Sequence, residues 1–151
     1  MPQSLAQIYL HVIFSTKART PWLRSDADRS RVHAYLAGVC KQQECPAIGI
    51  GGTEDHVHIL CRLGRSLDVS TLVRELKRES SKWAKQELSG CRGFAWQNGY
   101  GAFSLSPAHL AAAEKYVARQ MEHHRRETFQ EEFRRICAKY DVELDERYAW
   151  D

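Results

Sequence analysis

Between residues 8 and 14 the chain alternates. Ile8, Leu10, Val12 and Phe14 fall on one side of an extended segment and Tyr9, His11 and Ile13 on the other, the period-two pattern of a strand. Past Ser25, a residue type suited to capping a helix N-terminus, the period lengthens. Val32, Tyr35, Leu36 and Val39 recur at three- and four-residue spacing and predict a first helix, which Pro46 and the glycines Gly49, Gly51 and Gly52 interrupt. Residues 47–50 and 56–63 flank the polar turn Gly52-Thr53-Glu54-Asp55, as in an antiparallel hairpin. Val69, Leu72, Val73, Leu76 and Trp83 form the apolar stripe of a second helix reaching about Leu88, with Gly90 and Gly93 beyond it. Residues 96–105 read as a glycine-punctuated strand. Ser106-Pro107 then supplies an N-cap and a first-turn proline for a third helix running to about Arg125. Thr128-x-x-Glu131 is a capping box for a fourth, with Phe129, Phe133, Ile136 and Tyr140 on its buried side.

The order β-α-β-β-α-β defines an α+β chain on the ferredoxin-like plan, an antiparallel sheet with two helices on one face, here followed by two C-terminal helices. In that plan the first and third strands occupy the middle of the sheet. If Ile8, Leu10, Val12 and Phe14 pack under the helices, the matching set of the third strand is Val57, Ile59 and Cys61, and His56 and His58 are expected on the opposite, open face. No repeat or linker divides the sequence, so residues 1–151 are expected to form one domain.

Composition narrows the class without choosing the function. Of 151 residues, 43% are hydrophobic and 27% charged, ordinary for a globular chain and unlike a disordered or fibrous one. No window approaches eighteen apolar residues, and the N-terminus lacks the basic start and apolar core of a signal peptide, so a cytoplasmic protein without a membrane span is expected. The five cysteines are odd in number and contain no C-x-x-C pair, which argues for free thiols over a zinc ribbon or disulfide framework. A net charge of +3 permits nucleic-acid binding but does not argue for it.

The candidate chemistry lies in small clusters. His56 and His58 are two apart on a strand and present two imidazoles on one side, as two ligands of one metal would, although an H-x-H pair taken alone is more often a half-exposed pair on a solvated sheet face with no role. His11 shares that face. Tyr116 and Gln120 stand one turn apart on the third helix, a pairing that packing alone also explains. Arg74, Lys77, Arg78, Lys82 and Lys85 form a basic face on the second helix, partly offset by Glu75 and Glu79. Lys17 and Arg19 follow the first strand and, with that face, are the candidate nucleic-acid contacts. Trp96, Tyr100 and Phe103 can stack on bases, with core packing the expected role of Trp96 and Phe103. His33, His109, His123 and His124 receive no role.

Together these segments resemble the HUH-class tyrosine transposases of small bacterial insertion sequences, which move DNA as single strands. The resemblance runs through Gln7-Ile8-Tyr9-Leu10-His11-Val12-Ile13-Phe14-Ser15-Thr16-Lys17, Glu54-Asp55-His56-Val57-His58-Ile59-Leu60, Trp96-Gln97-Asn98-Gly99-Tyr100-Gly101-Ala102-Phe103-Ser104, Tyr116-Val117-Ala118-Arg119-Gln120 and His123-His124. It implies that Tyr116 is the nucleophile and that His56, His58 and Gln120 hold a divalent ion, magnesium or manganese. The implied reaction cleaves and rejoins single-stranded DNA, with hairpin-bearing element ends as partner, through a 5′-phosphotyrosyl intermediate. A twofold homodimer is also implied, and the sequence leaves open whether the third helix serves its own chain or the partner. Nothing functional is carried to the segment after Tyr140.

Three other readings are weighed. A two-histidine phosphoesterase needs two H-x-[ST] motifs, and none is paired here. An RNA-binding domain of this plan places aromatics, not histidines, on its central strands. A domesticated relative acting on dispersed genomic repeats is not separable by sequence.

Overall fold

The computed structural model describes residues 2–151. Its elements are β1 (Ile8–Ser15), α1 (Asp26–Gln42), β2 (Ala47–Gly52), β3 (His56–Leu63), α2 (Val69–Glu87), β4 (Gly101–Leu105), α3 (Leu110–Ala118), α4 (Gln120–His123) and α5 (Phe129–Lys139), with short 3₁₀ turns at Lys17–Arg19 and Pro107–His109. The four strands form one antiparallel sheet in the order β2-β3-β1-β4, which puts β1 and β3 in the middle as expected.

Local signals account for most boundaries. Ser25 caps α1 by accepting from the Asp28 amide, and Thr128 caps α5 by accepting from the Glu131 amide. Asp68, which the sequence reading passed over, caps α2 through the Thr71 amide. Three expectations are corrected. The strand expected over 96–105 begins only at Gly101, because Trp96 meets Thr16 in a single bridge and the intervening residues loop. Ser106 and Pro107 do stand at the N-cap and first-turn positions, but of the short 3₁₀ turn that precedes α3, and the Ser106 hydroxyl bonds the His109 ring at 2.6 Å and no backbone amide. The long third helix is broken at Arg119, whose φ of −105° and ψ of 24° leave the helical region, so Tyr116 lies in the last turn of α3, which ends at Ala118, and Gln120 starts α4.

Two apolar cores sit on the two faces of the sheet. On the first, Leu10, Val12 and Phe14 of β1 and Val57, Ile59 and Cys61 of β3 pack under α1 and α2 with Leu36, Leu72 and Leu76, as alternation predicts, whereas Ile8 at the strand start is 47% exposed. The second face, expected to be open, is covered. Ile13 and Phe103 pack there with Phe129, Phe133, Ile136 and Cys137 of α5, and α3 lies over β2 of its own chain. The closeness of α3 depends on a glycine. A Cβ placed on Gly51 would stand 1.9 Å from the carbonyl oxygen of Val117, so only a residue without a side chain lets the helix lie there.

Candidate functional site

Antiparallel register sets the site on the second face. His58 pairs with Ile13 of β1 and Gly51 of β2, and partners in register share a face, so the histidines point toward α3, α4 and α5. They do reach the face the alternation predicts, but both are 0% exposed, because the C-terminal helices close over them.

Each imidazole is oriented by a bond from its other nitrogen. His56 Nδ1 lies 2.8 Å from Asp55 Oδ1 and 2.9 Å from Thr53 Oγ1, which leaves Nε2 facing inward. His58 Nδ1 lies 2.7 Å from His11 Nε2, and its own Nε2 also faces inward. This pattern, one ring nitrogen fixed by a neighbour and the other free to bind, is the usual arrangement of metal-binding histidines. Gln120 completes the expected set, its Oε1 3.0 Å from His56 Nε2. His11, an expected neighbour of the pair, is a direct partner.

Two further residues enter that the sequence reading left out. Glu132 of α5 is 0% exposed and places Oε1 2.9 Å from His58 Nε2, 3.0 Å from His124 Nε2 and 3.5 Å from His56 Nε2. His124, assigned no role, thus joins the cluster. One atom from each of His56, His58, His124 and Glu132 lies within 4.8 Å of every other, compact enough for a single ion. A signal for Glu132 was present: Phe129, Glu132, Phe133 and Ile136 occupy one helical stripe, and a carboxylate within an apolar stripe calls for buried partners.

Tyr116 stands beside this cluster. Its hydroxyl donates to Glu132 Oε2 and accepts from the Arg135 guanidinium at 2.7 Å, while its ring stacks on His123 with centroids 4.6 Å apart. Arg135 is itself bound to Glu127.

The electrostatics follow from burial and these partners. Burial pushes His11 down to about 3 and His58 down to about 4, so both are neutral. His56 feels the same burial, but its bonds to Asp55 and Glu132 outweigh it and raise it to about 9. Burial also opposes ionisation of Glu132, yet the bonds from His124, His56 and His58 prevail and hold it well below the carboxylate range. Burial and then the Glu132 carboxylate raise Tyr116 above its ordinary value, keeping it a phenol.

The site opens on one side. A cavity of about 600 Å³ is lined by His11 and Ser104 of the sheet, Ala112, Ala113 and Tyr116 of α3, and Arg135 and Lys139 of α5, among others. It leads from solvent to the Tyr116 hydroxyl past two cationic side chains.

The basic residues are only partly available. Arg74, Arg78, Lys82 and Lys85 are exposed on α2, with Arg78 paired to Glu75 and Glu79. Lys77 is not free: its Nζ donates to the carbonyls of Gln97, Asn98 and Gly99 at 2.8, 3.0 and 2.6 Å, and it holds the loop before β4. Arg19 bonds the Trp150 carbonyl, whereas Lys17 is exposed. Trp96 and Phe103 are core residues, as expected, and Tyr100 is exposed. Since α2 covers the first face, its cations and the histidine cluster lie on opposite faces of the sheet.

Buried inward-facing histidines on a four-stranded sheet, with a tyrosine and a glutamine brought over them by C-terminal helices, lie in a chain whose family match places it among DNA-processing enzymes. Residues 4–120 match the family described as "Transposase IS200 like", and the chain belongs to that family. Among curated proteins no sequence matches it. Two solved structures share its fold. A proposed transposase from Deinococcus radiodurans R1 aligns with a TM-score of 0.62 at 19% identity, over 78% of this chain and 95% of that one. A REP-associated tyrosine transposase bound to a REP hairpin aligns with a TM-score of 0.56 at 12% identity, over 78% of this chain and 68% of that one. Among the described residues no helix is long and apolar enough to cross a membrane.

Proposed function

We propose that the protein binds, cleaves and rejoins single-stranded DNA, with Tyr116 as nucleophile and a magnesium or manganese ion held by His56, His58 and Gln120. The observation that carries this reading is the Tyr116 hydroxyl. It lines the cavity that Arg135 and Lys139 also line, and a single carboxylate, Glu132, links it to both inward-facing histidines.

The donor atoms fit such an ion. Two imidazoles have their outer nitrogens already engaged, and an amide oxygen and a carboxylate oxygen approach the inner ones. When bound, the ion draws charge from the scissile phosphate and stabilises charge that develops on it. The chain's own groups do the rest. Lys139 and Arg135 attract the phosphate into the cavity, and Arg135 stays beside the hydroxyl as negative charge grows there. Tyr116 Oη forms a bond to phosphorus, the bond from phosphorus to the 3′-oxygen breaks, and the phenolic proton is lost to water in the cavity while Glu132 and Arg135 hold the oxygen in place. The departing 3′-oxygen takes up a proton from water and leaves as a hydroxyl. The phosphotyrosyl bond keeps the energy of the broken one, so a second 3′-hydroxyl can reverse the step and join a new strand without ATP.

Hairpin-bearing DNA is the proposed partner, in line with the hairpin carried by one structural neighbour. A homodimer is proposed because joining two ends needs two nucleophiles held together. The geometry favours a site completed within each chain, since α3 lies on its own sheet. A domesticated relative acting on genomic repeats would use the same site.

The test is incubation with single-stranded DNA from the regions flanking the gene, followed by denaturing electrophoresis. A covalent adduct is expected for the parent and its loss for Tyr116→Phe, with strand binding retained. An adduct that survives in Tyr116→Phe refutes the assignment and turns attention to Tyr100.

A further inference from the structure

α5 lies wholly outside the segment that carries the family match, which ends at residue 120. It nevertheless covers the site, and it brings one charged side chain into the interior. Glu132 is fully buried, in a helical stripe where Phe129, Phe133 and Ile136 are apolar. An isolated carboxylate taken out of water destabilises a fold by several kcal/mol unless charge and hydrogen bonds compensate it. Its partners are three imidazoles and the Tyr116 hydroxyl. A residue serving only to fill space there would be apolar.

We propose that Glu132 is a direct ligand of the divalent ion, with His124 beside it, so that α5 and the end of α4 add a carboxylate and a third imidazole to His56, His58 and Gln120. This rests on the reading that His56 and His58 hold a metal. The two carboxylate oxygens divide the work. Oε1 faces the three histidines and joins the ion, whereas Oε2 holds Tyr116, so one side chain fixes the nucleophile relative to the metal. Two consequences follow. The occupied centre carries one positive charge less than a set of neutral ligands would leave. Its ion preference also shifts, since a site rich in imidazole suits manganese better than magnesium, which binds through oxygen and gives up its water reluctantly.

Calorimetric titration with Mn²⁺ and Mg²⁺ tests this on the full chain without DNA. Glu132→Gln keeps the shape and hydrogen-bonding capacity while removing the charge. It is expected to weaken Mn²⁺ binding by more than the roughly ten- to hundredfold lost when a residue that merely orients a ligand is replaced. The parent is expected to prefer Mn²⁺ over Mg²⁺. Loss of Mn²⁺ binding in His56→Ala and His58→Ala with parental affinity in Glu132→Gln overturns the role of Glu132 and leaves the proposed function standing. Parental affinity in the histidine variants overturns the metal reading itself. Should Glu132→Gln fail to fold, infrared difference spectra of the parent, labelled with ¹³C at glutamate carboxylates, decide on Mn²⁺ addition. A shift of a labelled carboxylate band supports ligation, and unchanged bands refute it.

Discussion

The contact between Gly51 and α3 offers a way to move the tyrosine without touching it. In Gly51→Ala the new methyl carbon would lie 1.9 Å from the Val117 carbonyl oxygen, 2.8 Å from its carbonyl carbon and 3.2 Å from Val117 Cγ1. Carbon and oxygen rest at about 3.3 Å even in close contacts, so α3 must withdraw by roughly 1.4 Å or β2 must bend. The obstacle is backbone, and no rotamer change relieves it. Tyr116 is adjacent to Val117, and Gln120 follows across the break at Arg119, so both side chains move with the helix. Misplacing a reacting group by 1 Å costs about a hundredfold in rate, and overpacking of this kind destabilises by about 1–3 kcal/mol. Adduct formation in Gly51→Ala is therefore expected to slow about a hundredfold while Mn²⁺ binding by the histidines, which sit on β3, falls much less. Gly49→Ala is the control, since a Cβ at Gly49 meets nothing within 4 Å. Rates come from quenched time courses on denaturing gels, and stability from thermal unfolding. A Gly51→Ala chain that forms the adduct at the parental rate refutes the argument that α3 is seated on this glycine.

Charge reversal at Arg78 and Lys82 should weaken binding of all single strands alike and flatten the dependence of affinity on salt, measured by fluorescence anisotropy; an unchanged slope returns α2 to plain solvated surface. Lys77→Ala should differ, losing stability through the three freed carbonyls before it alters the salt slope. Burial and the charge of Arg29 lower His33 to about 4, and its Nε2 is buried without a partner. The unfolded chain takes the proton near pH 6.5 and the folded one resists it, so stability falls as pH drops from about 6.5 to 4, by at most about 3 kcal/mol. His33→Leu should lose that part of the slope in urea titrations, and an identical slope contradicts the assignment. Mixing Tyr116→Phe chains with chains carrying both His56→Ala and His58→Ala should restore no cleavage, because α3 serves its own sheet; recovered adduct formation would mean that the helices are exchanged between subunits.

Side-chain period is a local property, and what depended on it alone was legible in the sequence. The alternation in β1 and β3 assigned Leu10, Val12, Phe14, Val57, Ile59 and Cys61 to one face and His56 and His58 to the other. Ser25 and Thr128 marked two helix starts, since a cap needs only its own next turn. The one-turn spacing of Tyr116 and Gln120 survived even the break between α3 and α4, because both residues still point at the sheet. What the sequence did not contain was which segments meet. Whether the histidine face meets water or protein depends on where α5 docks, and that is decided by Phe129, Phe133 and Ile136 finding Ile13 and Phe103 more than twenty residues away. The same docking buries Glu132 among three imidazoles, converts His124 from an unassigned residue to a member of the cluster and gives Tyr116 its two partners. Lys77 and Arg19 looked like free cations for the same reason: their carbonyl acceptors, in the loop before β4 and at Trp150, come near only through the folded chain. Periodicity orients a side chain on its element, but only tertiary packing sets what surrounds it, and charge state, availability and burial all follow from those surroundings.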